Sequence, residues 1–172
     1  MTTKNLSGAD GFHGAPRLGR RILAAAALAA AGLTSAQAHA FEPPSRLEGT
    51  WRVTRHGVDC QTGQQLSTFM AITTFAQGGT VSGFGVPPGS SPALGSPEYG
   101  EWKREGGLDY SFRLLSYAYD GSGTFAGSAE VTGQLALARG AEAFTYTSHV
   151  AFFDAAGNPL FTVCGAASAV RF

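Results

Sequence analysis

Few residues in this chain have the types and spacing that catalysis needs. His56 and Asp59 are close in sequence, but a loop can bring such a pair together without a chemical role. Glu101 and Glu105 share one face of a predicted strand and could form a carboxylate pair, although a solvated face with local ion pairs is favoured. Arg113 could reach an acid in the interior. The serines form no Gly-x-Ser-x-Gly elbow, so we assign no catalytic residue, and the pattern favours a protein without enzymatic activity.

The first 40 residues have the composition of a removable export signal. A basic segment containing the pair Arg20-Arg21 is followed by the apolar run 22–31 and by Ala38-His39-Ala40. This order predicts cleavage between Ala40 and Phe41, which leaves one domain over residues 41–172. The apolar run is about half the roughly 20 residues that span a bilayer, so we expect no membrane anchor. The twin arginine leaves both the Tat and the Sec export routes open.

An exported protein reaches an oxidising compartment, either the periplasm or the exterior, and there its two cysteines are expected to pair. Cys60 and Cys164 are the only cysteines, which predicts a single disulfide. Only His56 and His149 remain as histidines after the leader. Because no close-spaced ligand cluster accompanies them, we predict no metal site and no other cofactor.

Charge excludes some partners for residues 41–172. The leader holds four of the basic residues but only Asp10 among the acids, so the remaining domain is weakly acidic. A protein of this charge has no electrostatic footprint for nucleic acid or for an anionic membrane. The sequence leaves its oligomeric state open.

Short runs of β-branched and aromatic residues, separated by turn residues, indicate an all-β domain. The turns supply Gly, Asn or Asp where a tight reversal needs a positive φ. No segment after residue 41 has the apolar stripe of a helix. The predicted strands cover residues 49–58, 67–75, 80–85, 100–104, 110–119, 124–138, 143–153 and 160–172.

The longest break between strands is the segment 86–99, which contains four prolines among Gly and Ser. Proline cannot donate to a strand ladder, so this segment is predicted to be a loop. In a barrel the loop could lie across an open end, or it could be a solvated connector.

Eight consecutive strands with short reversals favour a single antiparallel up-and-down barrel, because closure removes exposed edges. Closure brings Cys60 beside Cys164, and the resulting bond would stabilise the fold by about 4–5 kcal/mol. The same closure brings Trp51 near Arg171. We expect the guanidinium to stack on the indole as a structural plug at one barrel end.

Two resemblances accompany these patterns. Gly49-Thr50-Trp51, together with Arg171 at the end of the last strand, resembles the signature of calycins, which are the lipocalin-like and avidin-like barrels. The segments 47–53, 59–63, 96–102, 152–158 and 164–167 resemble a family of uncharacterised secreted bacterial proteins. The first resemblance implies a ligand-binding barrel, whereas the second implies no particular activity.

The favoured function is the binding of a small, partly apolar ligand inside the barrel. One alternative is a protein-binding or enzyme-inhibitor module that uses the loop 86–99 and has a filled interior. A further alternative, by analogy of fold alone, is an isomerase similar to allene oxide cyclase. The predicted ligand-binding residues are Phe69, Phe84, Tyr110, Phe112, Val131, Tyr146 and Phe152.

Overall fold

The computed structural model describes residues 45–172, so the predicted leader and its cleavage site at Ala40 and Phe41 lie outside the described residues. A short 3-10 turn covers Pro92–Leu94. Within residues 45–172, no helix has the length and hydrophobicity needed to cross a membrane. The strands are β1 (Gly49–Val58), β2 (Gln65–Phe75), β3 (Thr80–Gly85), β4 (Glu98–Gly106), β5 (Asp109–Tyr119), β6 (Phe125–Leu137), β7 (Ala143–Asp154) and β8 (Pro159–Arg171).

The strands form a closed barrel in sequence order, which confirms the predicted up-and-down topology. Each strand pairs antiparallel with the next, and β1 also pairs with β8 to close the sheet. The main difference from the predicted bounds is at β4, which begins at Glu98 rather than at residue 100. Pro97 has no N–H to donate, so pairing begins at the residue that follows it.

Side chains alternate between the interior and the solvent along each strand. On β1, Trp51 and Val53 are buried inside the barrel, whereas Arg52 between them is exposed. This is the period of two that a half-buried strand imposes. The alternation fixes which residues face the interior but leaves their size free to vary along the barrel axis.

One half of the barrel, which we call the packed half, is filled by large side chains. Trp51 contacts Phe144 edge-on with ring centroids 4.8 Å apart, and Phe75 contacts Trp102 in the same way at 6.0 Å. The indole nitrogen of Trp51 donates to the carbonyl of Leu47 at 2.9 Å, so its one polar atom is satisfied. The packed half comprises Leu47, Trp51, Val53, Phe75, Val81, Trp102, Tyr110, Phe112, Leu114, Leu135, Leu137, Phe144 and Ala169.

Arg171 closes the outer end of the packed half. Its guanidinium carbon lies 4.3 Å from the centroid of the Trp51 ring, which is the stacked arrangement expected from closure. The guanidinium also donates to the carbonyls of Ala141 at 3.0 Å, Glu48 at 2.9 Å and Arg46 at 2.8 Å. Four separate contacts therefore hold this plug in place.

The disulfide lies at the other end of the barrel. Cys60 and Cys164 are bonded, with Cα atoms 5.1 Å apart and a sequence separation of 104 residues, which confirms the predicted pairing. The bond joins the β1–β2 loop to β8 beside the pair Val58 and Cys164. It therefore fastens the seam where the first and last strands meet.

Small residues on β6 serve different purposes along the strand. Gly133 lies opposite Phe112, and a Cβ atom at Gly133 would come within 2.2 Å of that ring. Ala129, nearer the disulfide end, lines a cavity instead. Glycine thus relieves crowding in the packed half, and alanine leaves space in the other half.

Candidate ligand-binding cavity

The interior on the disulfide side of the barrel, which we call the cavity half, holds a cavity of about 370 Å³. Its apolar wall comes from alternating inward positions of three strands, β2, β6 and β7, and from one residue at the rim. A volume of this size lies in the range of small-molecule sites. The apolar wall residues are Phe69, Phe84, Val131, Val150 and Phe152.

The cavity exists because the inward residues become smaller towards the disulfide end. On β7, Phe144 and Tyr146 are followed at the inward positions by Ser148 and Val150. On the neighbouring β8, Gly165 faces the cavity, and a Cβ atom there would lie 2.5 Å from the Ser148 hydroxyl oxygen. Similar small positions line the wall at Gly57, Gly85, Ser116 and Ala129.

The proline-rich segment 86–97 borders this cavity. Pro87, Pro92 and Leu94 are among the residues that line it. The segment is fixed to β5, because the Ser96 amide donates to the Tyr117 carbonyl and the Tyr117 amide donates to the Ser96 hydroxyl, each at 2.9 Å. Of the two roles left open by the sequence, a position at the open end of the barrel is the one observed.

A buried ion pair forms the polar floor of the cavity. The two terminal nitrogens of Arg55 donate to the two carboxylate oxygens of Glu98 at 2.6 and 2.7 Å. The side chains are only 12% and 14% exposed. Gly83 lies opposite Glu98 on β3, and a Cβ atom there would come 2.9 Å from the carboxylate, so glycine leaves room for it.

Burial and charge set the protonation of this floor. Burial lowers the pKa of Arg55, but its hydrogen bonds with Glu98 and the charge of that carboxylate outweigh burial and hold the pKa above its ordinary value. The pKa of Tyr146 is raised, chiefly by burial. Arg55 therefore carries its charge and Tyr146 keeps its proton at neutral pH.

The cavity wall also carries two hydroxyl groups, those of Tyr146 and Ser148. The Tyr146 hydroxyl interacts with the guanidinium of Arg55, whose Nε atom is the buried side-chain polar atom without a partner within residues 45–172. Since buried polar groups normally find a partner, the Nε–H of Arg55 and the hydroxyl of Ser148 can bond a ligand or water.

The predicted ligand-binding residues divide between the two halves. Phe69, Phe84, Val131, Tyr146 and Phe152 line the cavity. Tyr110 and Phe112 instead lie in the packed half, where they are 2% and 5% exposed. The hydroxyl of Tyr110 accepts a hydrogen bond from Ser45 at 3.1 Å. The positions of β5 that reach the cavity are Ser116, Tyr117 and Ala118.

The interior arginine is Arg55 rather than Arg113. Arg113 is exposed on the outer face of β5, opposite Glu101, because it alternates with the buried Phe112 and Leu114. The expectation that Arg113 reaches an interior acid is therefore wrong. Arg55 follows Trp51 and Val53 at every second position of β1. The sequence therefore already indicated that it faces the interior.

The other charged candidates have local roles. Glu105 accepts from the Ser111 hydroxyl at 2.5 Å and pairs with Lys103 at 3.1 Å, which lowers the pKa of the exposed carboxyl. The Asp59 carboxylate accepts from the amides of Gln61 and Thr62 in its own loop. His56 instead contacts the Thr68 hydroxyl at 3.0 Å.

Among residues 45–172, one group has potential metal ligands within reach of one another. It consists of Cys60, His149 and Cys164, with the His149 Nδ1 atom 3.4 Å from the Cys164 sulfur. The two sulfur atoms are bonded to each other in the disulfide. Of these three side chains, only the histidine is therefore free to act as a metal ligand.

The fold and the cavity define a class of protein: a closed eight-stranded antiparallel barrel with a plugged half and an accessible half. Comparison with family models and with curated proteins finds no match to the chain.

Proposed function

We propose that this chain is an exported binding protein that carries one small, partly apolar molecule in the cavity half of its barrel. The observation that carries the proposal is the division of one interior into two parts. One half is filled to the axis by aromatic and aliphatic side chains, and the other retains a cavity of about 370 Å³.

The composition of the wall supports this function. Ligand sites are largely apolar and contain a few convergent polar groups that orient the bound molecule. Here the phenyl rings of Phe69 and Phe152 and the side chain of Val131 supply the apolar wall, while Tyr146 and Ser148 supply the hydroxyls. A lipocalin-like mode of binding, inside the barrel rather than on its surface, is part of the proposal.

Location in the periplasm or outside the cell is also part of the proposal. The predicted leader supports export, and the disulfide between Cys60 and Cys164 is compatible with an oxidising compartment. A carrier of this kind would receive its ligand after export, or during it if the protein crosses the membrane already folded.

Extraction is the first test. Protein purified from its own host would be examined by native mass spectrometry and by solvent extraction. We expect a co-purifying molecule of low mass that is released by the solvent.

Saturable binding of the neutral probe N-phenyl-1-naphthylamine is the second test. Ala129→Phe places a ring in the cavity and should weaken probe binding by at least about tenfold. Ala136→Phe is the matched control, since Ala136 lies on the same strand but faces outward and is exposed. Equal weakening by both variants, or no saturable binding by the unmodified protein, would contradict the proposal.

A further inference from the structure

We propose that the cavity selects an uncharged amphiphile, with one hydroxyl or carbonyl group that binds at the floor, over a carboxylate or an ammonium ion of the same length. The inference rests on the proposed function and specifies its ligand class. It follows from the charges on the floor, the neutral hydrogen-bonding groups of the cavity and the composition of the rim.

The floor presents no net charge to a ligand. Both oxygens of Glu98 are taken up by the two terminal nitrogens of Arg55 at 2.6 and 2.7 Å. A carboxylate arriving at this pair would meet the charge of Glu98 as well as that of Arg55. It would also lose its hydration on entering the apolar cavity, a cost that only an unmatched positive charge offsets.

An ammonium group faces the converse difficulty. It would have to displace the guanidinium of Arg55 from Glu98, although the pair has the bidentate geometry in which arginine binds carboxylates best. Burying a second cation beside Arg55 is unfavourable for the same reason of desolvation.

The floor of the cavity offers hydrogen-bonding groups to a neutral ligand. The Nε–H of Arg55 is buried without a partner within residues 45–172. The hydroxyls of Tyr146 and Ser148 line the cavity, and that of Tyr146 also interacts with Arg55. Each hydroxyl can donate one hydrogen bond and accept others. A ligand hydroxyl or carbonyl would pair with them at no cost in buried charge.

The rim adds a bias against anions. The three turns β1–β2, β5–β6 and β7–β8 each begin with an aspartate, namely Asp59, Asp120 and Asp154. Hydrogen bonds within the turns lower the pKa of each carboxyl, so all three are ionised at neutral pH. The loops at this end, 59–64, 86–97, 120–124 and 155–158, contain no lysine or arginine.

The test compares three ligands with the same chain length: decanol, decanoate and decylamine. Each is titrated against protein loaded with N-phenyl-1-naphthylamine, at about pH 8, where the acid and the amine are both charged. We expect decanol to displace the probe at a concentration at least about tenfold lower than either charged ligand. Decanoate or decylamine equal to decanol would overturn the inference while leaving the proposed function in place. Absence of saturable probe binding would overturn both.

The substitution Glu98→Gln tests the inference further, because it removes the carboxylate charge that balances the charge of Arg55. In this variant the affinity for decanoate should rise at least about tenfold relative to decanol. Glu101→Gln is the matched control, because it neutralises an exposed carboxylate on the same strand and should leave the ratio unchanged. A ratio that is the same in all three proteins would overturn the inference.

Loss of one partner from a buried pair can prevent folding, so a second variant removes both. The double substitution Arg55→Met and Glu98→Leu replaces the pair with apolar side chains. We expect decanoate to remain a weak ligand of this variant, as it is of the unmodified protein. A tenfold or larger loss of decanoate affinity, of about 1.4 kcal/mol or more, would identify Arg55 as a carboxylate anchor and overturn the inference.

Discussion

The two halves of the barrel share strands and alternation but differ in what the inward positions hold. Along β1, the buried side chains of Trp51 and Val53 in the packed half are followed by Arg55 and Gly57, which line the cavity. The pairing of β1 with β8 runs through both halves without a register shift. The comparison shows that one sheet forms both halves and that the side chains at the inward positions determine where the interior is empty.

The two ends are also held in different ways. The packed end relies on noncovalent contacts, with Arg171 over Trp51 and bonded to three carbonyls. The cavity end has fewer buried side chains and carries the covalent bond between Cys60 and Cys164. A cavity removes packing contacts that would otherwise stabilise the fold, and the disulfide lies at the end that lacks them.

Removal of the disulfide should have the largest effect on stability. We expect Cys60→Ser with Cys164→Ser to lower the free energy of unfolding by about 4–5 kcal/mol, because the bond closes a loop of roughly 100 residues. Urea unfolding of oxidised protein, measured with and without a reductant, checks the value. The reductant should have no effect on the double variant, and a loss below about 1 kcal/mol would contradict a structural role for the bond.

A matched pair of phenylalanines compares the halves directly. Phe144→Ala, in the packed half, should cost about 3–5 kcal/mol of unfolding free energy because it leaves a cavity among buried rings. Phe152→Ala, in the wall of an existing cavity, should cost about 1 kcal/mol, since its ring is already partly accessible. Urea unfolding measures both, and equal costs would show that the two halves are packed alike.

The plug should have an intermediate effect. Arg171→Ala removes three hydrogen bonds and the contact with Trp51, and we expect a loss of about 2 kcal/mol. Arg171→Lys keeps the charge but cannot reproduce the planar fork, so it should recover less than half of that loss. Thermal and urea unfolding would test both, and full recovery by lysine would mean that charge alone holds the plug.

The smallest expected effect concerns acid at the cavity end. Hydrogen bonds from Ser122 and Thr124 lower the pKa of Asp120 below its unfolded value of 3.8. The stabilisation from this carboxylate is therefore present above pH 3.8 and is lost as the pH falls through the lower folded value. The difference in urea midpoint between the unmodified protein and Asp120→Ala should become smaller as the pH is lowered from neutral to about pH 3. Asp120→Asn cannot titrate, so its difference from Asp120→Ala should stay constant with pH.

The barrel and its disulfide followed from the sequence because local signals specify them. Turn residues divide the strands, alternation marks the inward face, and closure of an even number of strands brings Cys60 and Cys164 together. These signals act over a few residues, and the closure that they imply is the simplest way to pair both edges.

The cavity site was harder to predict from the sequence. Its residues come together only through the pairing register of strands that are distant in the sequence. Glu98 follows the longest loop and lies three strands away from its partner Arg55. Their meeting therefore depends on where strand pairing resumes after Pro97. Tyr110 and Phe112 face the barrel interior, as the cavity residues do. Alternation along a strand shows which side chains face inward, but it does not show where they lie along the barrel axis. The side chain of Phe84 faces outward and is 42% exposed. It nevertheless lies at the rim of the cavity, because β3 ends at the next residue.

A ligand that enters the cavity half of the barrel should leave the packed half unperturbed. Titration of isotopically labelled protein with decanol, followed by methyl and aromatic chemical shifts, measures both halves in one experiment. We predict saturable shifts at Val131, Val150 and Phe152, with Val53 and Leu135 in the packed half unchanged. Shifts spread over both halves, or confined to the outer face, would rule out binding inside the cavity half.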